Sequence, residues 1–398
     1  MSPEPTGTGT GTAPGAGMEI LAFGVQADEQ PLIEQAFQQI LQQASDGSRA
    51  SDGSRASDGS RASDGSRASD GSRAPHGHRP SHDHDPSHGH DAIRCLDVFL
   101  NEDTAPIAAG HEIVSTSVNA DLGAAVLEIL AAGGTRMVAQ RSTGFNNIDL
   151  GTAERLGMTV ARVSSYSPYS VAEFAWALAL AVNRRIVRAS HRTRDFDFRL
   201  HGLMGRDLHG RTAGILGTGR IGEAFARIAH GFGMRLLGWD VAENPACAEL
   251  GMRYVPKDEL LARSDLITLH VPLMAETRHL IDAAALKSMR DDAILVNSSR
   301  GGLIDTAALV GELRAGRFTG VGLDVYEAEA GLFFLDKSLE PVEDDTLARL
   351  VTFPNVLVTS HQAYYTEDAV GQIVDATARN VLDYREGRRS QNVLVPRG

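Results

Sequence analysis

Apolar positions along the chain follow two spacings that predict alternating strands and helices. A short apolar run at 18–24 predicts a buried strand, and apolar residues at every third or fourth position of 29–43 predict an amphipathic helix. Further strand-like runs lie at 92–100, 112–115, 136–140 and 158–162. The helical patterns between the later runs lie at 121–132 and 152–156. This order predicts a first α/β domain.

A long Ala- and Leu-rich stretch opens the second half of the chain. Ser167 is the predicted N-cap and Pro168 the first residue of one helix that continues to about residue 194, its apolar face buried between domains or subunits. From 212 to 354, short apolar runs alternate with helical patterns, as in a parallel, doubly wound sheet. Residues 366–387 form one more amphipathic pattern, which we expect to pack back onto the first domain.

Low-complexity segments interrupt this pattern. Residues 1–17 are rich in Gly, Thr and Pro and predict a disordered tail. Ala-Ser-Asp-Gly-Ser-Arg occurs five times at 44–73 and six histidines follow at 76–90, so 44–91 is predicted to be a flexible insertion. Its histidines could bind Zn²⁺ or Ni²⁺ transiently. Because no Cys or fixed framework sets a tetrahedral geometry, we expect a solvated loop and no dedicated metal site.

Composition and charge narrow the class of protein. The 398 residues are 42% hydrophobic and carry a formal net charge of −13, so nucleic acid is not the expected partner. The longest apolar run, 174–182, is too short to span a membrane, and the N-terminus lacks the pattern of a secretory signal. Two cysteines, Cys95 and Cys247, are too few for a disulfide framework. These features predict a cytoplasmic protein with no membrane partner.

A glycine-rich turn at 214–222, Gly-Ile-Leu-Gly-Thr-Gly-Arg-Ile-Gly, stands between an apolar strand and a helical stripe. In a dinucleotide-binding turn, Gly217 and Gly219 allow the tight turn and the approach of the pyrophosphate, and Gly222 allows helix and strand to pack closely. The backbone N–H groups of Arg220 and Ile221 would face the anion at the helix N-terminus.

The next predicted strand ends at Asp240, 18 residues after Gly222. A carboxylate at this place accepts hydrogen bonds from ribose hydroxyls and repels a 2′-phosphate. The strand, the helix and the acid together predict an NAD site and favour NAD over NADP.

Six longer motifs stand out in the chain. They are Arg-Ser-Thr-Gly-Phe-Asn-Asn-Ile-Asp-Leu (141–150), Ser-Tyr-Ser-Pro-Tyr-Ser-Val-Ala-Glu (165–173), Asn-Ser-Ser-Arg-Gly-Gly-Leu-Ile-Asp-Thr (297–306), Gly-Leu-Asp-Val-Tyr-Glu-Ala-Glu (322–329), Leu-Phe-Phe-Leu-Asp-Lys-Ser (332–338) and Ser-His-Gln-Ala-Tyr-Tyr-Thr (360–366). Together they resemble the D-2-hydroxyacid dehydrogenases, most closely the D-lactate dehydrogenase branch. The resemblance covers 18–43 and 92–398. It implies an α/β fold of two doubly wound parallel-sheet domains, flavodoxin-like and Rossmann, with a cleft between them, usually in a homodimer.

The resemblance also divides the chain into regions. The predicted regions are a disordered tail at 1–17, a substrate domain at 18–166 containing the insertion 44–91, an NAD-binding Rossmann domain at 167–364, and a C-terminal helix at 365–398 that returns to the substrate domain.

Three residues carry the chemistry that the resemblance implies. Reduction of a 2-oxo acid needs a cation for the carboxylate and the carbonyl oxygen, and a proton donor beside that oxygen. Arg300 follows a predicted strand and offers a permanently charged fork. His361 follows another predicted strand and is the proton donor. Glu329 would pair with His361 and favour its imidazolium form, although Glu327 could take its place.

Supporting roles are implied by the same resemblance. Cofactor contacts are expected from Val271, Pro272, Thr277, Ser298, Ser299 and Asp324, the last near the nicotinamide ribose. The backbone N–H groups of Thr143 and Gly144 would bind the substrate carboxylate with Tyr166 nearby, and Tyr364 would form one wall of the side-chain pocket.

Alternatives to D-lactate dehydrogenase remain at this stage. The D-lactate branch usually has an aromatic residue before Val-Asn, and here that residue is Ser117, which favours bulkier 2-oxo acids such as phenylpyruvate. An NAD-sensing scaffold without enzymatic activity could keep all three chemical residues. Metal buffering through 76–90 could coexist with catalysis.

Overall fold

The computed structural model describes residues 20–51 and 93–396, with side chains from residue 41 to residue 51 left undescribed. The predicted tail 1–17, most of the insertion 44–91 and all of its histidines lie outside these residues. Within the described ranges, no helix is both long and apolar enough to cross a membrane. Cys95 and Cys247 are free thiols.

Strands and helices alternate along most of the chain. The strands are β1 (Ile20–Phe23), β2 (Ile93–Leu96), β3 (Ile113–Thr116), β4 (Met137–Gln140), β5 (Thr159–Ala161), β6 (Thr212–Leu216), β7 (Arg235–Trp239), β8 (Arg253–Tyr254), β9 (Leu266–Leu269), β10 (Ile294–Asn297), β11 (Gly320–Leu323), β12 (Val356–Val358) and β13 (Val393–Val395). The α-helices are α1 (Gln30–Ser51), α2 (Ala124–Ala132), α3 (Leu150–Arg155), α4 (Pro168–Arg184), α5 (Ile186–Arg194), α6 (Arg220–Gly231), α7 (Pro245–Glu249), α8 (Lys257–Arg263), α9 (Ala283–Ser288), α10 (Thr306–Arg314), α11 (Asp345–Leu350) and α12 (Glu367–Arg385).

The chain divides into two compact units, and the first comprises Met1–Ser164 together with Val374–Gly398. Its described strands form one sheet in the order β13-β5-β4-β3-β1-β2. All neighbours in this sheet are parallel except β13, which runs antiparallel to β5. Apolar side chains of β1, β3 and β4 pack with α2 in a buried core, as expected for parallel strands covered by helices.

The second unit, Ser165–Ile373, contains a sheet in the order β12-β11-β10-β9-β6-β7-β8 with all neighbours parallel. The order reverses between β6 and β9, and such a switch point is where open α/β sheets bind ligands. Leu216, Leu269, Asn297 and Leu323, the last residues of four strands, are register partners across the sheet. The loops that follow them therefore begin at one edge. The predicted pair of doubly wound parallel-sheet domains is confirmed.

The prediction of one helix from 168 to about 194 was wrong. The helix breaks at Arg185, whose φ is +54°, and α5 continues as a separate helix. The buried stripe of α4 ends at Val182 and Asn183, and the Asn183 amide is held by the backbone of Arg206. No residue of α5 is buried. The apolar face of α4 packs inside the second unit, against Ala213, Phe225 and Val296 among others, whereas we predicted a position between domains or subunits.

Two further differences concern the ends of elements. Helix α1 extends to Ser51, beyond the predicted end at residue 43, because adding residues to a formed helix costs much less than nucleating one. The region 365–398 contains β13 after its helix, and the sequence analysis missed this three-residue strand. Three residues are too few to show a periodicity.

Candidate active site

The glycine-rich turn joins β6 to α6 with little free space. Gly217 has a φ of +90°, which favours glycine, and a Cβ there would lie 2.6 Å from the backbone of His270. A Cβ on Gly222 would lie within 1.9 Å of the Gly217 carbonyl oxygen. Gly219 and Arg220 are exposed at the start of α6, while Ile221 is half-buried. The turn thus leaves the N-terminus of a 12-residue helix open, as an anion site requires.

Asp240 follows β7 and bonds to the same turn. Its Oδ2 accepts hydrogen bonds from the backbone N of Thr218 at 2.6 Å and from the Thr218 hydroxyl at 3.2 Å. Tyr254 donates its hydroxyl proton to the Thr218 hydroxyl at 2.9 Å. Asp240 stays partly exposed, so its carboxylate is fixed beside the glycine turn where a ribose would lie.

His361 and Glu329 form a hydrogen-bonded pair. His361 Nδ1 lies 2.8 Å from Glu329 Oε1, and the two side chains are 12% and 26% exposed. Glu329 Oε2 accepts the backbone N–H of Tyr326 at 3.0 Å, and the backbone N–H of His361 donates to the Asp324 carbonyl at 2.6 Å. Both members are therefore anchored to the main chain, and the bond to Glu329 engages Nδ1 of the ring and not Nε2.

The alternative partner, Glu327, is engaged elsewhere. Its Oε1 lies 2.6 Å from His279 Nε2 and 3.0 Å from Arg278 Nη2. The question that the sequence left open between the two glutamates is settled geometrically in favour of Glu329.

Arg300 lies in the loop after β10 and is half-buried. Asn297 holds this loop, because its Nδ2 donates to the Arg300 carbonyl at 2.8 Å and its Oδ1 accepts from the Ser299 backbone N at 3.0 Å. Ser299 donates its hydroxyl to the Val271 carbonyl at 2.6 Å. The guanidinium is bonded to the Ser299 carbonyl at 2.6 Å and keeps other N–H groups for a ligand.

A cavity of about 70 Å³ brings many of the predicted residues together inside the second unit. Its walls are formed by Tyr166, Val171, Ile221, His270, Ser298, Ser299, Arg300, His361, Ala363 and Tyr364. The rings of Tyr166 and Tyr364 meet edge to face at 6.5 Å. Burial raises the pKa of Tyr166, so its hydroxyl stays protonated and can donate a hydrogen bond. The cavity joins a cation, a histidine and hydroxyl donors in a small space.

Other predicted residues support the walls of the site. Asp324 is fully buried, and its carboxylate accepts from Thr359 Oγ1 at 2.6 Å, Gln362 N at 3.0 Å and Ala363 N at 2.8 Å. Burial raises the pKa of Asp324, against the effect of these donors. Its carboxylate holds the loop that carries His361, a role that the sequence did not suggest.

The turn after β9 is closed by a threonine. Thr277 donates its hydroxyl to the Pro272 carbonyl at 2.7 Å and accepts from the Met274 backbone N at 2.7 Å, and Val271 is buried in the core beneath. Ser298 is nearly buried, and its hydroxyl has no hydrogen-bond partner among the described residues. A buried hydroxyl without a partner at a cavity wall is suited to a ligand's polar group.

His270 was missed by the sequence analysis. It lines the cavity, its Nε2 lies 3.0 Å from the Thr268 hydroxyl, and its ring packs 5.4 Å from that of Phe225. Burial lowers its pKa to about 3, so the imidazole is neutral at physiological pH. A histidine directly after a central strand and before Val271-Pro272 was the signal that could have found it.

Thr143 and Gly144 belong to the first unit, in the loop after β4. Ser142 donates its hydroxyl to the Gly144 carbonyl at 2.6 Å, and Arg162 Nη1 donates to the Thr143 carbonyl at 2.7 Å. These bonds fix the loop through its carbonyl groups.

Among the described residues, no group of three or more His, Cys, Asp or Glu side chains is arranged to hold a metal ion.

Comparison with known proteins places the chain in a family. Residues 176–363 match the model of the NAD-binding domain of D-isomer specific 2-hydroxyacid dehydrogenases. The D-lactate dehydrogenase of Escherichia coli is 45% identical over 299 residues, which are 75% of this chain and 91% of that protein. The chain belongs to the D-2-hydroxyacid dehydrogenase family.

Other members of this dehydrogenase family are similar to the chain in sequence and in fold. A D-lactate dehydrogenase of Curvularia clavata is 48% identical over 303 residues, or 76% of this chain and 87% of that protein. The crystal structure of the Aquifex aeolicus D-lactate dehydrogenase with NAD and lactic acid matches with a TM-score of 0.73 and 27% identity, covering 95% of this chain and all of that one (100%). The protein is an oxidoreductase with an NAD-binding Rossmann domain, and the predicted cofactor, NAD, is confirmed.

Proposed function

We propose that this dehydrogenase reduces pyruvate to D-lactate with NADH and catalyses the reverse reaction. The observation that carries the proposal is the His361–Glu329 pair on the wall of the cavity that Arg300 also lines. A cavity of about 70 Å³ suits a small acid. The D configuration of the product follows from family membership, and D-lactate dehydrogenases are among the similar proteins.

Each chemical residue has a separate part in this reaction. Bound NADH supplies the hydride that reduces the carbonyl carbon. Arg300 binds the substrate carboxylate and stabilises the negative charge that develops on the carbonyl oxygen. His361 donates the proton from Nε2 to that oxygen, and Glu329 holds the ring and stabilises its charged form. In the reverse direction, neutral His361 accepts the proton of the alcohol.

Further substrate contacts belong to the same proposal. The protonated hydroxyl of Tyr166 would donate to the substrate carboxylate, and Tyr364 would border the substrate methyl group. The N–H groups of Thr143 and Gly144, carried over from the family motif, are proposed as additional carboxylate donors.

The test is NADH oxidation by the purified protein with pyruvate, 2-oxobutyrate and phenylpyruvate. Wild type should prefer pyruvate, and His361→Ala should lower kcat by about 10²- to 10⁴-fold, the usual contribution of an acid–base group. An exposed histidine, His201, gives the matched control, and His201→Ala should keep wild-type turnover. NADH binding without turnover of any 2-oxo acid would contradict the proposal and favour a sensing scaffold.

A second candidate is a dehydrogenase for bulkier 2-oxo acids, which Ser117 favours. The Ser117 hydroxyl is buried and unpartnered among the described residues, and a Cβ on Gly24 would lie within 2.9 Å of both this hydroxyl and the ring of Phe99. The ring of Phe99 therefore packs close to Ser117. If Phe99 replaces the missing aromatic residue, Phe99→Ala should raise kcat/KM for phenylpyruvate relative to pyruvate, and Ser117→Ala should not.

The homodimer and the cytoplasmic location remain part of the proposal. The segment after α5 exposes Phe196, Phe198, Leu200 and Met204, with 82%, 70%, 81% and 92% of their surfaces accessible. Large apolar residues exposed so close together along the chain favour an interaction surface, and a second copy fits the family. Light scattering should give a dimer for wild type and a monomer for the double variant Phe198→Asp, Leu200→Asp.

A further inference from the structure

A phenylalanine in left-handed backbone conformation lies beside the acid–base pair. Phe334 has a φ of +66°, and its ring centre lies 6.1 Å from that of His361, tilted by 41°. His361 itself has a φ of +55°. Left-handed conformation is unfavourable for a bulky side chain and persists where the surroundings impose it, often at functional sites.

The chain between Glu329 and Phe334 explains how the ring reaches this place. The backbone N–H groups of Leu332 and Phe333 both donate to the Glu329 carbonyl, at 3.1 and 3.0 Å, so the chain turns directly after the glutamate. Leu332 and Phe333 pack against the core of the second unit. Phe334 follows in left-handed conformation, and its own ring lies beside that of His361.

Phe334 is not among the residues that line the cavity, although its ring centre lies 6.1 Å from that of His361. Glu329 already fixes Nδ1, and Asp324 fixes the backbone of His361. An apolar ring beside such a pair limits the rotation of the imidazole and excludes water, which strengthens the interaction of opposite charges.

We infer that Phe334 is a positioning residue of the reaction, which holds the His361 ring with Nε2 towards the substrate and shields the pair from water. This inference rests on the proposed dehydrogenase activity. Since the ring would act on proton transfer and not on substrate binding, its loss should lower kcat and leave KM for pyruvate nearly unchanged.

Two variants separate the ring from the backbone strain. Phe334→Ala removes the ring and keeps a strained residue, whereas Phe334→Gly removes the ring and relieves the strain. Both should lower kcat by about ten- to a hundredfold, the effect of a small misplacement of a reacting group. The glycine variant should be at least as thermally stable as the alanine variant. Leu335→Ala, at an exposed neighbour in the same loop, is the control and should keep wild-type kcat.

The pH profile supplies a readout that a merely structural role would not change. Water entering beside the pair weakens the interaction between His361 and Glu329, so the pH dependence of kcat for pyruvate reduction should differ from that of wild type in both variants. Wild-type kcat and pH profile in both variants, or full activity in Phe334→Gly alone, would overturn the inference. A wild type without turnover would instead overturn the proposed function, and this inference with it.

Discussion

His270 lines the same cavity as His361, and burial keeps its imidazole neutral. Its pKa is lowered to about 3, whereas an unfolded chain binds a proton on histidine below about pH 6.5. Between about pH 3 and about pH 6.5 the unfolded state binds more protons than the folded state. The stability contributed by neutral His270 is therefore present above about pH 6.5 and is lost as the pH falls.

We therefore expect His270→Gln to reduce the loss of thermal stability between neutral and mildly acidic pH. The measurement is Tm at about pH 7, above both pKa values, and at about pH 5, between them. His201→Gln, at an exposed site, should keep the full wild-type difference. If Tm fell by the same amount between the two pH values in wild type and in His270→Gln, His270 would not govern this pH dependence.

Residue identities could be predicted where a motif fixed their spacing, but their contacts could not. Glu327 and Glu329 are two positions apart in one loop, and no sequence pattern distinguishes which carboxylate faces His361. The Asp324 carboxylate holds the histidine loop through bonds to residues 35 to 39 positions away, and long-range bonds of this kind leave no local periodicity.

At the scale of elements, two glycines at the junction of β6 and α6 have different roles, one in packing and one in cofactor binding. A Cβ on Gly222 would meet the Gly217 carbonyl oxygen, while a Cβ on Gly219 has no neighbour within 4 Å. We predict that Gly222→Ala destabilises the protein by about 1–3 kcal/mol, as overpacking does. Gly219→Ala should keep wild-type stability and weaken NADH binding, because a methyl group there would obstruct the pyrophosphate.

Urea unfolding and NADH titration of the two glycine variants make this comparison. A stable Gly222→Ala with wild-type NADH affinity would contradict the packing of turn against helix. A Gly219→Ala with unchanged NADH affinity would contradict the assigned place of the pyrophosphate.

Elements with clear periodicity were predictable, and those set by tertiary contacts were not. The apolar spacing predicted β6, α6, β7, β10 and β12. The break at Arg185 depends on where α4 loses contact with the sheet and on the bonds of Asn183 to Arg206, which lie 23 residues apart. Between residues 169 and 194 the sequence has no glycine or proline that would mark the break.

At the scale of the whole molecule, the site residues of the second unit come from strands that are distant in sequence but adjacent in the sheet. The order of motifs predicted the family, and the family model and relatives confirm it.

The insertion contributes none of the candidate site residues. We predict that a variant with 52–91 replaced by a short Gly/Ser linker keeps wild-type kcat with pyruvate and loses retention on a Ni²⁺ column. A loss of turnover in this variant would show that the insertion takes part in activity.

The pairing of His361 with Glu329 is the central claim, and the kcat for pyruvate reduction in two matched glutamate variants tests it most directly. Glu329→Gln removes the charge bonded to His361, whereas Glu327→Gln removes a charge that bonds to His279 and Arg278. We predict that Glu329→Gln lowers kcat by about 10²-fold or more and that Glu327→Gln keeps it near wild type. Equal activity of the two variants, or a greater loss in Glu327→Gln, would contradict the account.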